Sequence, residues 1–420
     1  MEFAVSGFRT ARPTSTAHPA PTPHPARSAR SARTARTARR ARTALMSALT
    51  AGLLGLTLVG APPAAAEAGS GPTAIVSMGD SYISGEAGRW RGNSLTDTGS
   101  RDGTDRAWTG STYDPTRVYG ETALNGCHRS DSAEVRSAAG TGAQALVNLA
   151  CSGATTGNVF RAASGGTSYK GEAPQADQLA AVAATYDVKA IALSIGGNDL
   201  GFASIIGKCA TDYIVWYSYC HDDQQVLVDR RIDAVMADVG KAVDEIRAVM
   251  GAAGYRTGDY RIVLQSYPSP IPRGRENRYS ESGWSRVHTG GCPFWDKDAD
   301  WARDSLVPQI ADRLRGVATA KGVQFLDLRD MLQGREVCAT ASRLVTAAQP
   351  PSATASEWAR WIDSDGTQGP VQQSMHPNYY GQLGQGRCLE LAYAAAPTAH
   401  HTCRNTPGDG TSGMYLTALP

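Results

Sequence analysis

The sequence is poor in several things, and each shortage removes a class of function. The formal charge is only +2, and even this surplus sits at one end. Nine of the 41 basic residues (Arg9, Arg12, Arg27, Arg30, Arg33, Arg36, Arg39, Arg40 and Arg42) precede position 67, against one acid, Glu2. Without that stretch, 32 basic residues face 38 acidic ones, net −6. Nucleic-acid binding needs a basic face, so no nucleic-acid partner is expected. The eight cysteines form no C-x₂-C pair, which disfavours a metal site built on Cys388, His400, His401 and Cys403. No internal repeat and no linker divides the chain beyond the leader. Aromatic residues are few, at 7%, but 41% apolar content over 420 residues still suffices for one large core.

Residues 1–66 read as a leader. Arg39-Arg40-Ala41-Arg42 precedes an apolar run from Ala44 to Ala61, and Pro62-Pro63-Ala64-Ala65-Ala66 supplies small residues before Glu67. That order fits a signal peptide cleaved after Ala66 better than a membrane anchor, although the run approaches spanning length. Residues 1–38, with Ala-Arg at period three, fit a disordered extension or a misassigned start codon. The Arg39-Arg40 pair has flanks that suit twin-arginine export poorly. All eight cysteines follow the leader, and an even count in an exported chain favours disulfides, with 105 possible connectivities. The expected location is therefore extracellular.

Five short β-rich runs recur between helical stretches: Thr73–Met78, Ala145–Leu149, Ala190–Ser194, Arg261–Tyr267 and Val323–Leu328. The clearest helices cover Ala176–Ala184, Gln225–Met250 and Arg303–Ala320. Apolar strands alternating with amphipathic helices predict an α/β fold with a parallel sheet. Three inserts, Gly88–Gly126, Lys208–Gln224 and Pro268–Ala302, fall where loops shape a site. One domain from 71 to 404 is expected, followed by a tail over 405–420.

The chemistry concentrates at strand ends. The first strand runs into Gly79-Asp80-Ser81-Tyr82, so Ser81 stands where a parallel strand turns into a helix, at the ligand-binding edge of such sheets. A hydroxyl there is a candidate nucleophile; alone, it could equally be a helix cap. The second strand delivers Cys151-Ser152-Gly153 and the third Gly196-Gly197-Asn198-Asp199 to the same edge. A glycine N–H and an asparagine amide can both donate to a developing oxyanion. His376, just before Pro377 at a predicted helix start, is the best-placed base. His128 is its rival; His221 and His288 lie in cysteine-bounded inserts, and His400 and His401 near the carboxyl end.

Gly79-Asp80-Ser81-Tyr82, Gly153, Gly197-Asn198-Asp199 and His376-Pro377-Asn378 together resemble the four blocks of SGNH (GDSL-like) hydrolases, in order and across nearly the whole body. Asn125-Gly126-Cys127-His128-Arg129-Ser130 ahead of Cys151-Ser152-Gly153 is similar to the secreted actinomycete esterases and lipases of that family. The resemblance implies a flavodoxin-like three-layer α/β/α fold with a five-stranded parallel sheet of order 2-1-3-4-5. It also implies Ser81 as nucleophile, His376 as base, and an oxyanion hole of the Ser81 N–H, the Gly153 N–H and the Asn198 side chain. It further implies disulfides Cys127–Cys151, Cys209–Cys220 and Cys292–Cys338, which leaves Cys388 with Cys403.

One position departs from the family pattern. Many members carry an aspartate three residues before the histidine, where this chain has Gln373. The backbone carbonyl of Gln373 is the expected orienter of His376, with Asp363 and Asp365 as alternative acids, and Asp80 is expected to be a structural acceptor. The function implied is hydrolysis of lipid or simple acyl esters by a monomer that needs no cofactor and touches lipid surfaces transiently. A carbohydrate acetyl or feruloyl esterase is the alternative, with Trp90, Trp284 and Trp295 as sugar platforms or core. From other classes, a noncatalytic secreted binding module and a peptidase are the competing readings.

Overall fold

The computed structural model describes residues 69–215, 218–364 and 366–419. The leader expected over 1–66, its cleavage site and Asp365 lie outside the described residues.

Strand β1 (Thr73–Gly79) leads into a one-turn helix, α1 (Ser81–Ser84). After a long insert come β2 (Ala145–Asn148), α2 (Gln175–Thr185), β3 (Asp187–Ser194), α3 (Phe202–Ile214) and α4 (His221–Ala252). The chain closes with β4 (Arg261–Gln265), α5 (Val307–Lys321), β5 (Gln324–Asp327), α6 (Tyr379–Ala394), β6 (His400–Arg404) and β7 (Tyr415–Ala418). All five expected strands are present, and their order within the sheet is β2-β1-β3-β4-β5. They pair in parallel, Ile75 facing Leu146 on one side and Ala190 on the other. Ala74 to Val76 and Ala190 to Leu193 are fully buried, as strands covered on both faces require. Helix α4 packs against α2 and α5, and α6 packs against the short turns of residues 134–141, completing three layers.

The sheet is wider than the sequence suggests. Strand β6 joins β5 in parallel, and β7 returns antiparallel to β6, so seven strands align where five were expected. Residues 415–418, read from sequence as part of a tail, are the edge strand. The segment His400-His401-Thr402-Cys403-Arg404 has no apolar run to announce a strand, and the Cys388–Cys403 bridge tethers it to α6.

The order of the sheet reverses at β1, because β2 lies to one side of it and β3 to the other. The carboxyl ends of these three strands therefore border a crevice, where open α/β sheets take ligands. Among the described residues, no helix is long and apolar enough to cross a membrane.

Candidate active site

The corner after β1 is set by close packing. A Cβ on Gly79 (φ +136°) would lie 1.9 Å from the Ser194 carbonyl oxygen, so only glycine lets β1 end this near β3. The next N–H, of Asp80, donates to that same oxygen at 3.0 Å. Asp80 then caps α1, its carboxylate accepting from the Tyr82 N–H at 3.1 Å and the Tyr267 hydroxyl at 2.6 Å. Burial pushes Asp80 up to about 7 against the pull of these bonds. The capping role thus belongs to Asp80, as a structural acceptor, and leaves the Ser81 hydroxyl available. Ser81 Oγ lies 2.7 Å from His376 Nε2.

His376 is delivered by an extended segment pinned to residues 358–360. Met375 N donates to Arg360 O at 2.7 Å, Arg360 N to His376 O at 2.9 Å, and Asn378 N to Trp358 O at 2.8 Å. The Tyr82 hydroxyl donates to the Met375 carbonyl at 2.9 Å, holding Met375 in a left-handed conformation (φ +61°). Pro377, expected as the first residue of the following helix, precedes it: Asn378 is the cap, accepting from the N–H groups of Tyr380 and Gly381, and α6 begins at Tyr379.

His376 Nδ1 is 2.9 Å from the carbonyl oxygen of Ser374. A carbonyl can only accept, so Nδ1 carries the proton and Nε2 presents its lone pair to Ser81. This corrects the expectation for Gln373. The turn over Val371–Gln373 ends in an extended Ser374, which brings the carbonyl two residues before the histidine, rather than three, under the ring. The Gln373 carbonyl only reinforces this hold, while its side chain accepts from Trp90 Nε1 at 2.7 Å and donates to the Tyr119 hydroxyl at 2.8 Å. Asp363 accepts from the Gln368 N–H at 2.5 Å, and no hydrogen bond joins it to His376.

The other two strand-end loops are tied to this corner. Tyr267, which donates to Asp80, accepts from the Gly197 N–H at 2.9 Å; Asn198 Nδ2 donates to Ala154 O at 2.9 Å; and Asp199 accepts from the Thr156 hydroxyl at 2.7 Å. Asn198 thus keeps one amide hydrogen for another acceptor. Gly153 sits at φ +85°, and a Cβ there would meet the Tyr169 hydroxyl at 2.6 Å. Among the described residues, no acceptor is placed for the backbone N–H of Ser81 or of Gly153. Unpaired donors beside a serine hydroxyl suit an anion that forms during a reaction.

A second histidine lies near the first. His128 Nδ1 is 2.7 Å from Glu86 Oε1, its ring stacked on Tyr119 with centroids 4.6 Å apart. Glu86 is fully buried. Burial raises its carboxyl, but the bond from His128 and the nearby imidazoles of His128 and His376 bring it below the ordinary value. At His376, burial lowers the imidazole, opposed by the Glu86 charge and then by the Ser374 and Gln373 carbonyls. Sequence reading missed Glu86, Tyr267 and Ser374. Glu86, a single acid just after the serine helix, could have been noticed; a carbonyl such as that of Ser374 has no side-chain signature.

Beside Tyr82 and Met375 lies a groove, partly open to solvent, with Phe202, Ile205, Ile271 and Leu306 among its apolar walls. None of the three tryptophans singled out in the sequence lines it: Trp90 is fully buried, Trp295 packs on Tyr213 and Tyr219, and Trp284 is 48% exposed. The cysteines are joined as Cys127–Cys151, Cys209–Cys220, Cys292–Cys338 and Cys388–Cys403. Cys388 and Cys403 are therefore bridged, and among the described residues no cluster of three histidine, cysteine or acidic side chains could hold a metal.

Comparison with known proteins adds a family match. The model of the GDSL-like Lipase/Acylhydrolase family matches residues 77–382. Among solved structures, an extracellular lipase from Streptomyces rimosus is 20% identical, covering 77% of this chain and 100% of its own, with a TM-score of 0.42. A phospholipase A1 from Streptomyces albidoflavus is 16% identical with the same coverages and a TM-score of 0.46. A carbohydrate acetylesterase from Sinorhizobium meliloti is 12% identical, covering 64% of this chain and 89% of its own, with a TM-score of 0.30. No curated protein matches the chain in sequence.

Proposed function

Because this chain belongs to the GDSL-like lipase/acylhydrolase family, we propose that it is an exported serine esterase that cleaves carboxylic esters with aliphatic acyl chains, Ser81 acting as nucleophile and His376 as base. The observation that carries this reading is the 2.7 Å contact between Ser81 Oγ and His376 Nε2, whose other ring nitrogen is engaged by a carbonyl. Ser81 Oγ attacks the ester carbonyl carbon while its proton passes to His376 Nε2. The resulting oxyanion is met by the N–H groups of Ser81 and Gly153 and by the remaining amide hydrogen of Asn198. The bond to the alcohol oxygen then breaks, His376 returns the proton to the leaving alcohol, and the acyl group stays on Ser81. Water, deprotonated by His376, attacks the acyl-enzyme; the bond to Ser81 Oγ breaks, the acid leaves, and His376 returns the proton to Ser81 Oγ.

The apolar groove supports an aliphatic acyl group, since its walls begin at Tyr82 and Met375, the immediate neighbours of the reacting pair. The four disulfides and the leader support export to an oxidising compartment, where a lipid surface is the natural source of such esters. A chain-length series of p-nitrophenyl esters, run beside phospholipid vesicles and acetylated xylan, tests this. Turnover that rises from acetate to medium or long acyl chains is expected and should vanish in Ser81→Ala. Preference for acetylated xylan would overturn the aliphatic reading, and activity surviving Ser81→Ala would overturn the nucleophile.

A further inference from the structure

The loop that carries Gly153 is backed by an unusual turn. Tyr169 N donates to Glu172 O at 3.0 Å and Glu172 N to Tyr169 O at 2.9 Å, so Tyr169-Lys170-Gly171-Glu172 closes on itself. Its two central residues have φ of +50° at Lys170 and +79° at Gly171. This is the pattern of a type I′ turn, whose first central position favours asparagine, aspartate or glycine. A lysine there is held against its backbone preference.

The turn brings Lys170 Nζ to two carbonyls, Gly126 O at 2.5 Å and Ser152 O at 2.6 Å. Gly126 directly precedes Cys127 and Ser152 directly follows Cys151, so the ammonium bridges the two strands of chain joined by that disulfide. The Ser152 N–H adds a bond to Cys127 O at 3.0 Å. Two other ties thus hold the loop where it is, and the charge is not needed merely to keep it folded.

The Ser152 carbonyl and the Gly153 N–H belong to one planar peptide unit. A charge-assisted hydrogen bond at the oxygen fixes the plane of that unit and draws electron density from its nitrogen, which strengthens the N–H as a donor. We propose that Lys170 is a positioning residue of the oxyanion hole, holding and polarising the Ser152–Gly153 peptide so that its N–H meets the anionic intermediate. The proposal rests on the reading that the Gly153 N–H receives the oxyanion. Burial lowers the ammonium of Lys170, while the charges of Glu86 and Glu172 oppose the loss of its proton.

Lys170→Asn tests this, because asparagine suits the turn and removes only the ammonium. With a p-nitrophenyl ester that the parent hydrolyses, kcat is expected to fall about tenfold and KM to stay within about twofold, as for a donor weakened rather than removed. Inhibition by an alkyl boronic acid, whose adduct on Ser81 places an oxygen in the hole, should weaken about tenfold, with the thermal midpoint within about 3 °C of the parent. Lys170→Arg, which keeps the charge, should recover part of both. Unchanged kcat, or a loss of kcat with unchanged boronate affinity, would overturn the role. Asn198→Ala run in parallel separates the two levels: if it loses kcat and boronate affinity while Lys170→Asn loses neither, the oxyanion hole stands and the role of Lys170 falls. If neither variant moves either quantity, the oxyanion reading falls and takes that role with it.

Discussion

Two histidines stand close to the serine, and their surroundings are the reverse of what a search for a triad would seek. His128 has the carboxylate partner, a buried Glu86 at 2.7 Å, yet no hydrogen bond joins it to Ser81. His376 touches Ser81 and has only a main-chain carbonyl on its other nitrogen. A carboxylate partner therefore does not identify the base; the position of Nε2 relative to the nucleophile does. The carbonyl of Ser374 fixes the tautomer as well as an acid would. What it lacks is a full negative charge to stabilise the imidazolium, and in this site Glu86 supplies such a charge to both rings.

The largest expected effect separates the two histidines. His376→Ala should lower kcat by about 10⁴-fold or more and add little to Ser81→Ala, because the pair acts as a unit. His128→Ala should cost less than about 100-fold in kcat while lowering stability by about 1–3 kcal/mol, since it leaves Glu86 buried without its partner. A reversal of these two results in steady-state kinetics would make His128 the base.

Glu86→Gln sharpens the comparison next. It keeps the shape and removes the charge, and a loss of kcat of about three- to tenfold is expected, from an imidazolium less well stabilised in the transition state. An unchanged kcat would mean that Glu86 serves only His128.

The pH profile gives a smaller, directional effect. His376 must be neutral to accept the Ser81 proton, and burial holds it below its ordinary value of 6.5. The acidic limb of kcat/KM should therefore lie below pH 6.5, and Glu86→Gln, which removes an influence that raises His376, should move that limb to still lower pH. A limb above 6.5 in the parent would contradict the environment described for His376.

The smallest effects on turnover are expected for the two alternative acids and for the glutamine. Gln373→Ala should keep kcat within about tenfold of the parent, but it strands the buried Trp90 indole N–H and should cost about 1–3 kcal/mol of stability. Asp363→Ala and Asp365→Ala should leave kcat close to the parent, whereas loss of a true triad carboxylate costs about 10⁴-fold. A collapse of kcat in either aspartate variant would restore a Ser-His-Asp triad.

Much of this was legible in the sequence, and the limits have physical causes. The five buried parallel strands announce themselves as short apolar runs, and Gly79, Gly153 and Asn198 stand at their ends, as the alternation of strand and helix requires. Strands β6 and β7 escaped notice because the first is polar and the second is a short, largely exposed edge, and neither carries such a run. The Ser81–His376 pairing spans 295 residues; position in the fold suggested each residue, with His128 as a rival base, and the resemblance joined the two. Gln373 was singled out for a carbonyl that belongs, two residues before the ring, to Ser374: main-chain direction is set by turn geometry and leaves no mark on side-chain identity. Lys170 was invisible for a related reason, since nothing in Tyr-Lys-Gly-Glu says which carbonyls a lysine will reach.

The central claim is that Ser81 is activated by His376 with main chain alone behind the ring. Its most direct test is the rate at which an alkyl fluorophosphonate labels the protein, followed by intact mass and peptide mapping, in the parent and in His376→Ala, His128→Ala, Gln373→Ala and Asp363→Ala. The expected result is one adduct per chain on the peptide containing Ser81, formed rapidly in the parent and in the last three variants and almost abolished in His376→Ala. Labelling at another serine, or rapid labelling that survives loss of His376 but not of His128 or Asp363, would contradict it.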